Sequence, residues 1–169
     1  AAVIEDVLNG REGVSIANYN CPGQIVITGE AKAVAEAGTA LKEAGARRVL
    51  PLKVSGPFHS PMMRPAGEEL AKVFARVSMN PLKIPYVANI NAEVITDCGR
   101  IEGLLVDQVS GSVRWQQSVE TMIREGVDTF VEIGPGKTLT GFLRKINKNV
   151  KAYHIGSWEE AVQVCEELK

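Results

Sequence analysis

The first 55 residues alternate strand-like and helix-like segments in an order that few folds accept. Runs of β-branched and apolar residues predict strands at residues 1–4, 14–19, 24–29 and 47–54. A short helical segment at residues 5–9 and an alanine-rich helix at residues 31–44, ended by Gly45, lie between them. The order is therefore β-α-β-β-α-β. It predicts a ferredoxin-like fold, an antiparallel sheet with two helices on one face.

From Gly56 onward, helical and strand patterns alternate, which predicts a largely parallel sheet covered by helices. The helical patterns occupy residues 61–77, 101–109, 115–125, 137–146 and 159–169, and the strand patterns occupy residues 84–89, 129–133 and 152–155. We therefore divide the chain into two units, residues 1–55 and residues 56–169.

Size and charge restrict the class of protein. A chain of 169 residues, 45% of them hydrophobic, can bury one good core or two small ones. The balance of 19 Lys and Arg against 20 Asp and Glu gives no electrostatic argument for nucleic acid as the partner. No apolar run approaches the ~20 residues needed to cross a bilayer. Three scattered cysteines indicate free thiols, and no leader peptide is visible, so we expect a cytoplasmic protein.

One of only two histidines lies in Gly56-Pro57-Phe58-His59-Ser60, at the exit of the predicted strand 47–54. A histidine mounted after a Gly-Pro break can be held rigidly with one ring nitrogen facing a cleft, as a general base requires. The alternative is a packed loop histidine without a chemical role. No Gly-x-Ser-x-Gly elbow supplies a nucleophile, so the sequence predicts half of an active site.

Other sequence motifs give weaker evidence of function. Gly136-Lys137-Thr138 copies the end of a nucleotide-binding loop, but the earlier glycine that such a loop requires would fall at Val131. Cys21 precedes a Pro-Gly turn with no activating partner, so we do not expect it to act as a nucleophile. We expect His154 to be structural. The spacing of histidines and cysteines predicts no metal site.

Five sequence blocks carry a resemblance to a known family. They are Asn18-Tyr19-Asn20-Cys21-Pro22-Gly23-Gln24-Ile25-Val26-Ile27-Thr28-Gly29, Gly45-Ala46-Arg47-Arg48, Gly56-Pro57-Phe58-His59-Ser60, Val113-Arg114-Trp115 and Glu132-Ile133-Gly134-Pro135-Gly136-Lys137. In order and spacing they resemble malonyl-CoA:acyl-carrier-protein transacylases of fatty-acid synthesis. The resemblance covers residues 1–155 but only the C-terminal half of the family.

This resemblance implies a fold in two parts. Residues 1–55 would be the family's ferredoxin-like subdomain, and residues 56–169 the C-terminal part of its α/β-hydrolase-like subdomain. The family's Gln-Gly-x-Gly entrance, its nucleophile elbow and the arginine that binds the malonyl carboxylate have no counterpart in this chain. We therefore expect this chain alone to be inactive.

By the same resemblance, His59 is the base of a Ser-His pair, and Gln108 offers its main-chain carbonyl to the histidine ring. Asp107 is a competing candidate for orienting the histidine. Asn18 and Asn20 would line the substrate cleft, although residues before a Cys-Pro-Gly turn are commonly simple turn residues. Phe58 would narrow the acyl pocket, since an aromatic residue here accompanies malonyl substrates in related acyltransferases.

The resemblance also implies the partners. They are malonyl-CoA, acyl carrier protein and a missing N-terminal segment that bears the serine, with a coenzyme A thioester as substrate and no separate cofactor. Carrier proteins of this kind are acidic, so Lys53, Arg64 and Arg114 are candidates for docking, or else ordinary surface charges. We expect no nucleic-acid or membrane partner. The competing hypothesis is a non-catalytic module that binds the carrier protein or coenzyme A.

Overall fold

A computed structural model describes all 169 residues as a mixed α/β structure. The helices are α1 (Ala2–Leu8), α2 (Ala31–Glu43), α3 (Arg64–Phe74), α4 (Ile101–Ser110), α5 (Trp115–Arg124), α6 (Thr138–Ile146) and α7 (Trp158–Glu167). The strands are β1 (Val14–Cys21), β2 (Gln24–Gly29), β3 (Tyr86–Val87), β4 (Val94–Ile95), β5 (Thr129–Ile133) and β6 (Lys151–Ile155). Two 3-10 turns, Pro61–Met63 and Cys98–Arg100, precede α3 and α4.

The chain begins with a helix, so the predicted strand at residues 1–4 is wrong. The β-branched pair Val3-Ile4 favoured a strand, but Ile4 and Leu8 have helical i, i+4 spacing. Leu8 belongs to a small core with Ile16 and Ala37, and Ile4 packs against that core. Tertiary packing of one helix face thus outweighs the local strand preference of two residues.

β1 and β2 form an antiparallel hairpin, as the sequence predicts. Cys21 pairs with Gln24, which leaves Pro22-Gly23 as a two-residue loop in which Gly23 has a φ of 79°. That angle suits the third position of a type II turn, with proline before it. α2 then ends in a Schellman motif, since the Ala46 amide donates to the Leu41 carbonyl at 2.8 Å.

Residues 47–54 do not form a strand, contrary to prediction. In a β-α-β-β-α-β sheet the first strand lies between the third and the fourth, and here no strand precedes α1. The segment therefore has no neighbour with which to exchange backbone hydrogen bonds. The structure shows an α-β-β-α arrangement, which does not confirm the predicted ferredoxin-like fold.

The second half contains the predicted helices but less sheet than expected. β5 and β6 pair in parallel from Thr129 with Lys151 to Ile133 with Ile155. The predicted strand at residues 84–89 is reduced to β3, which pairs with β4 in an antiparallel hairpin that the sequence analysis did not anticipate. A largely parallel sheet is thus not formed, and the only parallel strand pair is β5 with β6.

The outer edge of β1 joins the two halves. Tyr19 donates its amide to the Val113 carbonyl at 2.9 Å, and Val113 donates to the Ala17 carbonyl at 2.7 Å. The Ser112 hydroxyl donates to the Ile16 carbonyl at 2.6 Å. The loop that follows α4 is therefore fixed against β1. None of the helices has both the length and the apolar character that spanning a membrane requires.

Candidate active site

His59 lies in a strained turn between Gly56 and the helices that follow. Its φ is 59°, and it is one of two residues other than glycine with a positive φ. This left-handed conformation is uncommon for residues other than glycine, although histidine adopts it more often than most, and residues held in it concentrate at functional sites. The turn ends at Pro61, which starts the 3-10 turn where a missing amide hydrogen costs nothing. The backbone of the half-buried His59 is thus restrained between Gly56 and the 3-10 turn that starts at Pro61.

The C-terminal end of α4 supplies the partner of His59. The His59 Nδ1 atom lies 3.0 Å from the carbonyl oxygen of Gln108. The Gly111 amide donates to the Asp107 carbonyl, so the carbonyl of Gln108 is the next one along the helix and is left without an amide donor in the helix. This pattern explains why Gln108 and not the backbone of Asp107 contacts the ring. The exposed Asp107 carboxylate has no hydrogen bond to His59.

Close packing of α3 on α4 sets this distance. Gly67 on α3 is buried, and a Cβ atom placed there would lie 3.1 Å from the Val106 carbonyl oxygen. A larger side chain would force the two helices apart. Since His59 lies just before α3 and Gln108 lies on α4, the small residue at position 67 permits their contact.

The contact determines which ring nitrogen of His59 can act as a base. A carbonyl oxygen can only accept a hydrogen bond, so Nδ1 must carry the proton. In the neutral imidazole, Nε2 then has the free lone pair. If Nε2 accepts a proton, the carbonyl continues to stabilise the ring without adding a negative charge. The arrangement is competent for general acid–base chemistry.

Asn18 and Asn20 lie near the same junction but not in a regular alternation. The hairpin register shifts between Tyr19 and Cys21, so Asn20 falls in a bulge. Asn18 pairs with Val113 in the short parallel bridge beside the α4 end. Both asparagines are half-buried, and neither side chain donates or accepts a hydrogen bond within the chain. Their amides are free to bind another group.

Phe58 is 48% exposed, and its ring packs over Gly56. A Cβ atom added at Gly56 would lie 3.5 Å from the ring edge. Phe58 therefore forms an apolar surface directly beside His59 in the chain.

A second polar network surrounds the Gly134-Pro135-Gly136 turn. The Glu132 carboxylate accepts hydrogen bonds from the amides of Leu139 and Thr140, at 3.0 and 2.7 Å, at the start of α6. Partial burial of Glu132 acts to raise its pKa, but these hydrogen bonds outweigh it and hold the pKa below the ordinary glutamate value. The network caps a helix. It does not form a nucleotide-binding loop.

His154 stabilises the same turn from β6. Its Nε2 atom lies 3.0 Å from the Gly134 carbonyl oxygen, and its Nδ1 atom lies 3.5 Å from the Glu160 carboxylate. Glu160 also accepts a hydrogen bond from the Gly156 amide. These contacts connect the turn to β6 and to the start of α7; a structural role for His154 stays a prediction.

The cysteines lie in three different environments. Cys21 is 1% exposed, and its burial raises the pKa of its thiol. Cys98 is partly exposed and Cys165 is exposed. No cluster of three or more His, Cys, Asp or Glu side chains is arranged to hold a metal ion. The candidate docking residues Lys53, Arg64 and Arg114 are all exposed, and the Arg114 guanidinium lies 5.7 Å from the Tyr19 ring centroid.

Comparison with known proteins identifies the family. The acyl transferase domain matches residues 2–165, nearly the whole chain. The chain belongs to the acyl transferase domain family. It is 43% identical over 156 residues to the malonyl CoA-acyl carrier protein transacylase of Bacillus subtilis (strain 168), covering 92% of this chain and 49% of that protein.

Solved acyl transferase structures agree with the fold. The crystal structure of MCAT from Streptococcus pneumoniae superposes with a TM-score of 0.93 at 41% identity, covering 98% of this chain and 55% of the other. The holo PlMCAT:AntF structure, a type II PKS acyl-carrier protein in complex with its malonyl-transacylase, has a TM-score of 0.90 at 37% identity. It covers 98% of this chain and 53% of the other. The chain spans about half the length of the curated relatives it matches.

Sequence reasoning missed two residues near the contact between His59 and Gln108. Ser60 is 1% exposed and lies directly after His59. Gly67 permits the close approach of α3 and α4. A small residue on the apolar face of a predicted helix was the available signal for Gly67. The sequence shows no equivalent signal for Ser60, because a serine after a turn is ordinarily solvent-exposed.

Proposed function

We propose that this chain supplies the histidine half of a malonyl-CoA:acyl-carrier-protein transacylase of fatty-acid biosynthesis. The observation that carries the proposal is the 3.0 Å contact between His59 Nδ1 and the Gln108 carbonyl oxygen. It orients a neutral imidazole whose Nε2 atom can take a proton. The nucleophilic serine would belong to a segment outside the sequence of this chain.

In the first half-reaction, Nε2 of His59 accepts the serine hydroxyl proton as the oxygen attacks the thioester carbonyl of malonyl-CoA. The bond between the carbonyl carbon and sulfur breaks, and the imidazolium returns the proton to the departing thiolate. The products are free coenzyme A and a malonyl ester of the serine. Gln108 holds the ring throughout, since its carbonyl accepts the Nδ1 hydrogen in both charge states.

In the second half-reaction, the phosphopantetheine thiol of acyl carrier protein enters the vacated site. Nε2 of His59 takes the thiol proton, the sulfur attacks the ester, and the serine oxygen leaves with that proton. Because thioester and oxygen ester are close in energy, the reaction runs in both directions. Asn18 and Asn20 would bind the acyl-CoA or the loops of the cleft, and Phe58 would limit the space for the acyl group.

Exposed apolar side chains before the His59 turn support the proposal that another segment covers this surface. Leu50, Leu52 and Val54 alternate along the chain and are 71%, 61% and 66% exposed. The outer edge of β2 is also unpaired within the chain. An unpaired strand edge and an exposed apolar segment are both features that an added strand can cover. We propose that the serine-bearing segment supplies that strand.

The carrier protein would approach the cleft from the side of the exposed cations. Lys53 lies on the segment that leads to the His59 turn, Arg64 begins α3 directly after it, and Arg114 follows the loop fixed to β1. Positive side chains placed around a cleft mouth accelerate association with an acidic partner and make it sensitive to salt.

The test requires a protein that also contains the segment with the nucleophilic serine. Residues 1–169 are fused to the part of the Bacillus subtilis relative that this chain does not match; we call this fusion the joined protein. It is mixed with malonyl-CoA and holo acyl carrier protein, and malonyl transfer to each protein is followed by intact mass. We expect one malonyl group on the joined protein and on the carrier. Binding of carrier or coenzyme A without any transfer would instead support the non-catalytic module.

A further inference from the structure

The backbone of His59 requires a restraint that the ring contact with Gln108 does not by itself supply. A φ of 59° disfavours any residue with a Cβ atom, and a free turn would relax to negative φ. Relaxation would swing the imidazole away from the end of α4. Some neighbouring group must hold the turn closed.

Ser60 is in the position to do this. Its side chain is 1% exposed, and its Oγ atom donates to the Pro57 carbonyl oxygen at 2.6 Å. Ser60 occupies the N-cap position of the 3-10 turn at Pro61–Met63, where a serine hydroxyl ordinarily accepts a hydrogen bond from a following amide. Here it makes no such cap and points back along the chain instead.

This hydrogen bond ties the two ends of a four-residue turn. The proline ring fixes φ at Pro57, and the Ser60 backbone is anchored by the Met63 amide, which donates to the Ser60 carbonyl at 2.9 Å. Phe58 and His59 are therefore the only residues between two fixed points. With the ends tied, His59 has little freedom to leave its left-handed conformation.

We infer that Ser60 is a positioning residue whose buried hydroxyl holds His59 in the conformation that aims its ring at Gln108. The inference rests on the proposed function, because it assigns the serine a role through the catalytic histidine. Ser60 does not contact substrate in this account. Its loss should slow proton transfer and leave malonyl-CoA binding intact.

The experiment compares two buried serines in the joined protein. Ser118 is 2% exposed and donates to the Arg114 carbonyl at 2.9 Å, but it lies within α5 and its hydrogen bond does not involve the His59 turn. We expect Ser60→Ala to lower kcat by on the order of 10- to 100-fold with KM for malonyl-CoA changed less than about twofold. Ser118→Ala should keep wild-type kcat. Where Ser60→Ala does not fold, Ser60→Cys replaces the hydroxyl with a somewhat larger thiol that is only a weak donor, and it should likewise lower kcat with little change in KM.

Equal kcat values for the Ser60 and Ser118 variants would overturn the inference, and so would a loss confined to KM. The His59→Ala variant separates this outcome from failure of the proposed function. An inactive His59→Ala beside a fully active Ser60→Ala would reject only the role of Ser60. A fully active His59→Ala would reject the proposed function itself.

Discussion

The imidazole of His59 is held by a backbone oxygen 49 residues later in the chain, with its Nδ1 atom 3.0 Å from the carbonyl of Gln108. A carbonyl orients the ring as an aspartate does in many hydrolases, but it carries no formal charge. The ring is therefore fixed by where α4 ends and by how closely α3 packs against it. Small changes in helix packing should act on chemistry through this one contact.

The helix contact can be tested at Gly67. Replacing Gly67 with Val should push α3 from α4, because even a Cβ atom would lie 3.1 Å from the Val106 carbonyl oxygen. We expect a loss of about 2 kcal/mol in the free energy of unfolding and a lower kcat. Urea unfolding and malonyl-transfer assays of the joined protein measure both. Gly141→Val is the matched control, since Gly141 also lies within a helix and has open space around it. Equal losses of unfolding free energy in the two variants would contradict the packing argument.

Phe58 should control acyl selectivity. Replacing this half-exposed ring with Ala enlarges the space beside His59, so the ratio of kcat/KM for methylmalonyl-CoA to that for malonyl-CoA should rise about tenfold. Steady-state rates with the two thioesters give the ratio. Met62→Ala, which removes another half-exposed apolar side chain nearby in sequence, should leave it unchanged. An unchanged ratio in the Phe58 variant would contradict the proposal that Phe58 limits the space for the acyl group.

Gly29 should be intolerant of any side chain. Its φ is 145°, and a Cβ atom would overlap the Gly13 carbonyl oxygen. We expect Gly29→Ala to cost about 2–4 kcal/mol of stability. By contrast, Gly103 lies on α4 with open space at its Cβ position, so Gly103→Ala should stabilise by up to about 1 kcal/mol. Denaturant unfolding of both variants checks the pair, and a Gly29→Ala protein as stable as wild type would refute the expectation.

Glu132 should make stability depend on pH. Its pKa is lower in the folded chain than its ordinary value, so its charged form stabilises the fold above the ordinary glutamate pKa of about 4.3, and this contribution fades as the pH falls below it. At pH 7, Glu132→Gln should cost about 1 kcal/mol because the start of α6 loses a charged cap. The deficit of the variant should become smaller as the pH falls from 7 to 3, because the carboxylate of the folded wild type is progressively protonated.

Unfolding curves at the two pH values test this sign. Glu69→Gln, which removes an exposed ion pair with Lys72, serves as the control and should change stability by less than about 0.5 kcal/mol. A Glu132→Gln deficit that is as large at pH 3 as at pH 7 would show that the carboxylate charge is not the cause.

The cysteines should differ in reactivity. Cys21 is buried and has a raised thiol pKa, so iodoacetamide should modify the exposed Cys165 well before Cys21. Peptide mass mapping over a time course measures the order. Rapid labelling of Cys21 would mean that β1 opens readily, and it would revive this thiol as a candidate nucleophile.

The sequence predicted local features well and missed those that depend on a distant partner. The Pro22-Gly23 turn and the helix end at Gly45 follow from local chemistry and were predicted correctly. The apolar, alternating pattern of residues 47–54 predicted a strand. A stable strand also needs a neighbouring strand to pair its backbone hydrogen-bonding groups. The first residues failed in the opposite way, since packing of Ile4 and Leu8 imposed a helix.

The candidate site was predictable to a similar extent. A Gly-Pro break before His59 indicated a mounted histidine, and the resemblance to known transacylases suggested Gln108. No rule of spacing reveals that the Gln108 carbonyl is the first without an amide donor at the end of α4. The role inferred for Ser60 likewise depends on its burial and on a hydrogen bond to Pro57, and neither can be predicted from the residue type.

The most direct test of the central claim is the single-turnover rate of serine acylation in the joined protein, measured by rapid quench and intact mass after mixing with malonyl-CoA. If Nε2 of His59 is the base, His59→Ala should slow acylation by on the order of 100-fold or more while the protein stays folded. Acylation by the His59→Ala variant at the wild-type rate would contradict the account.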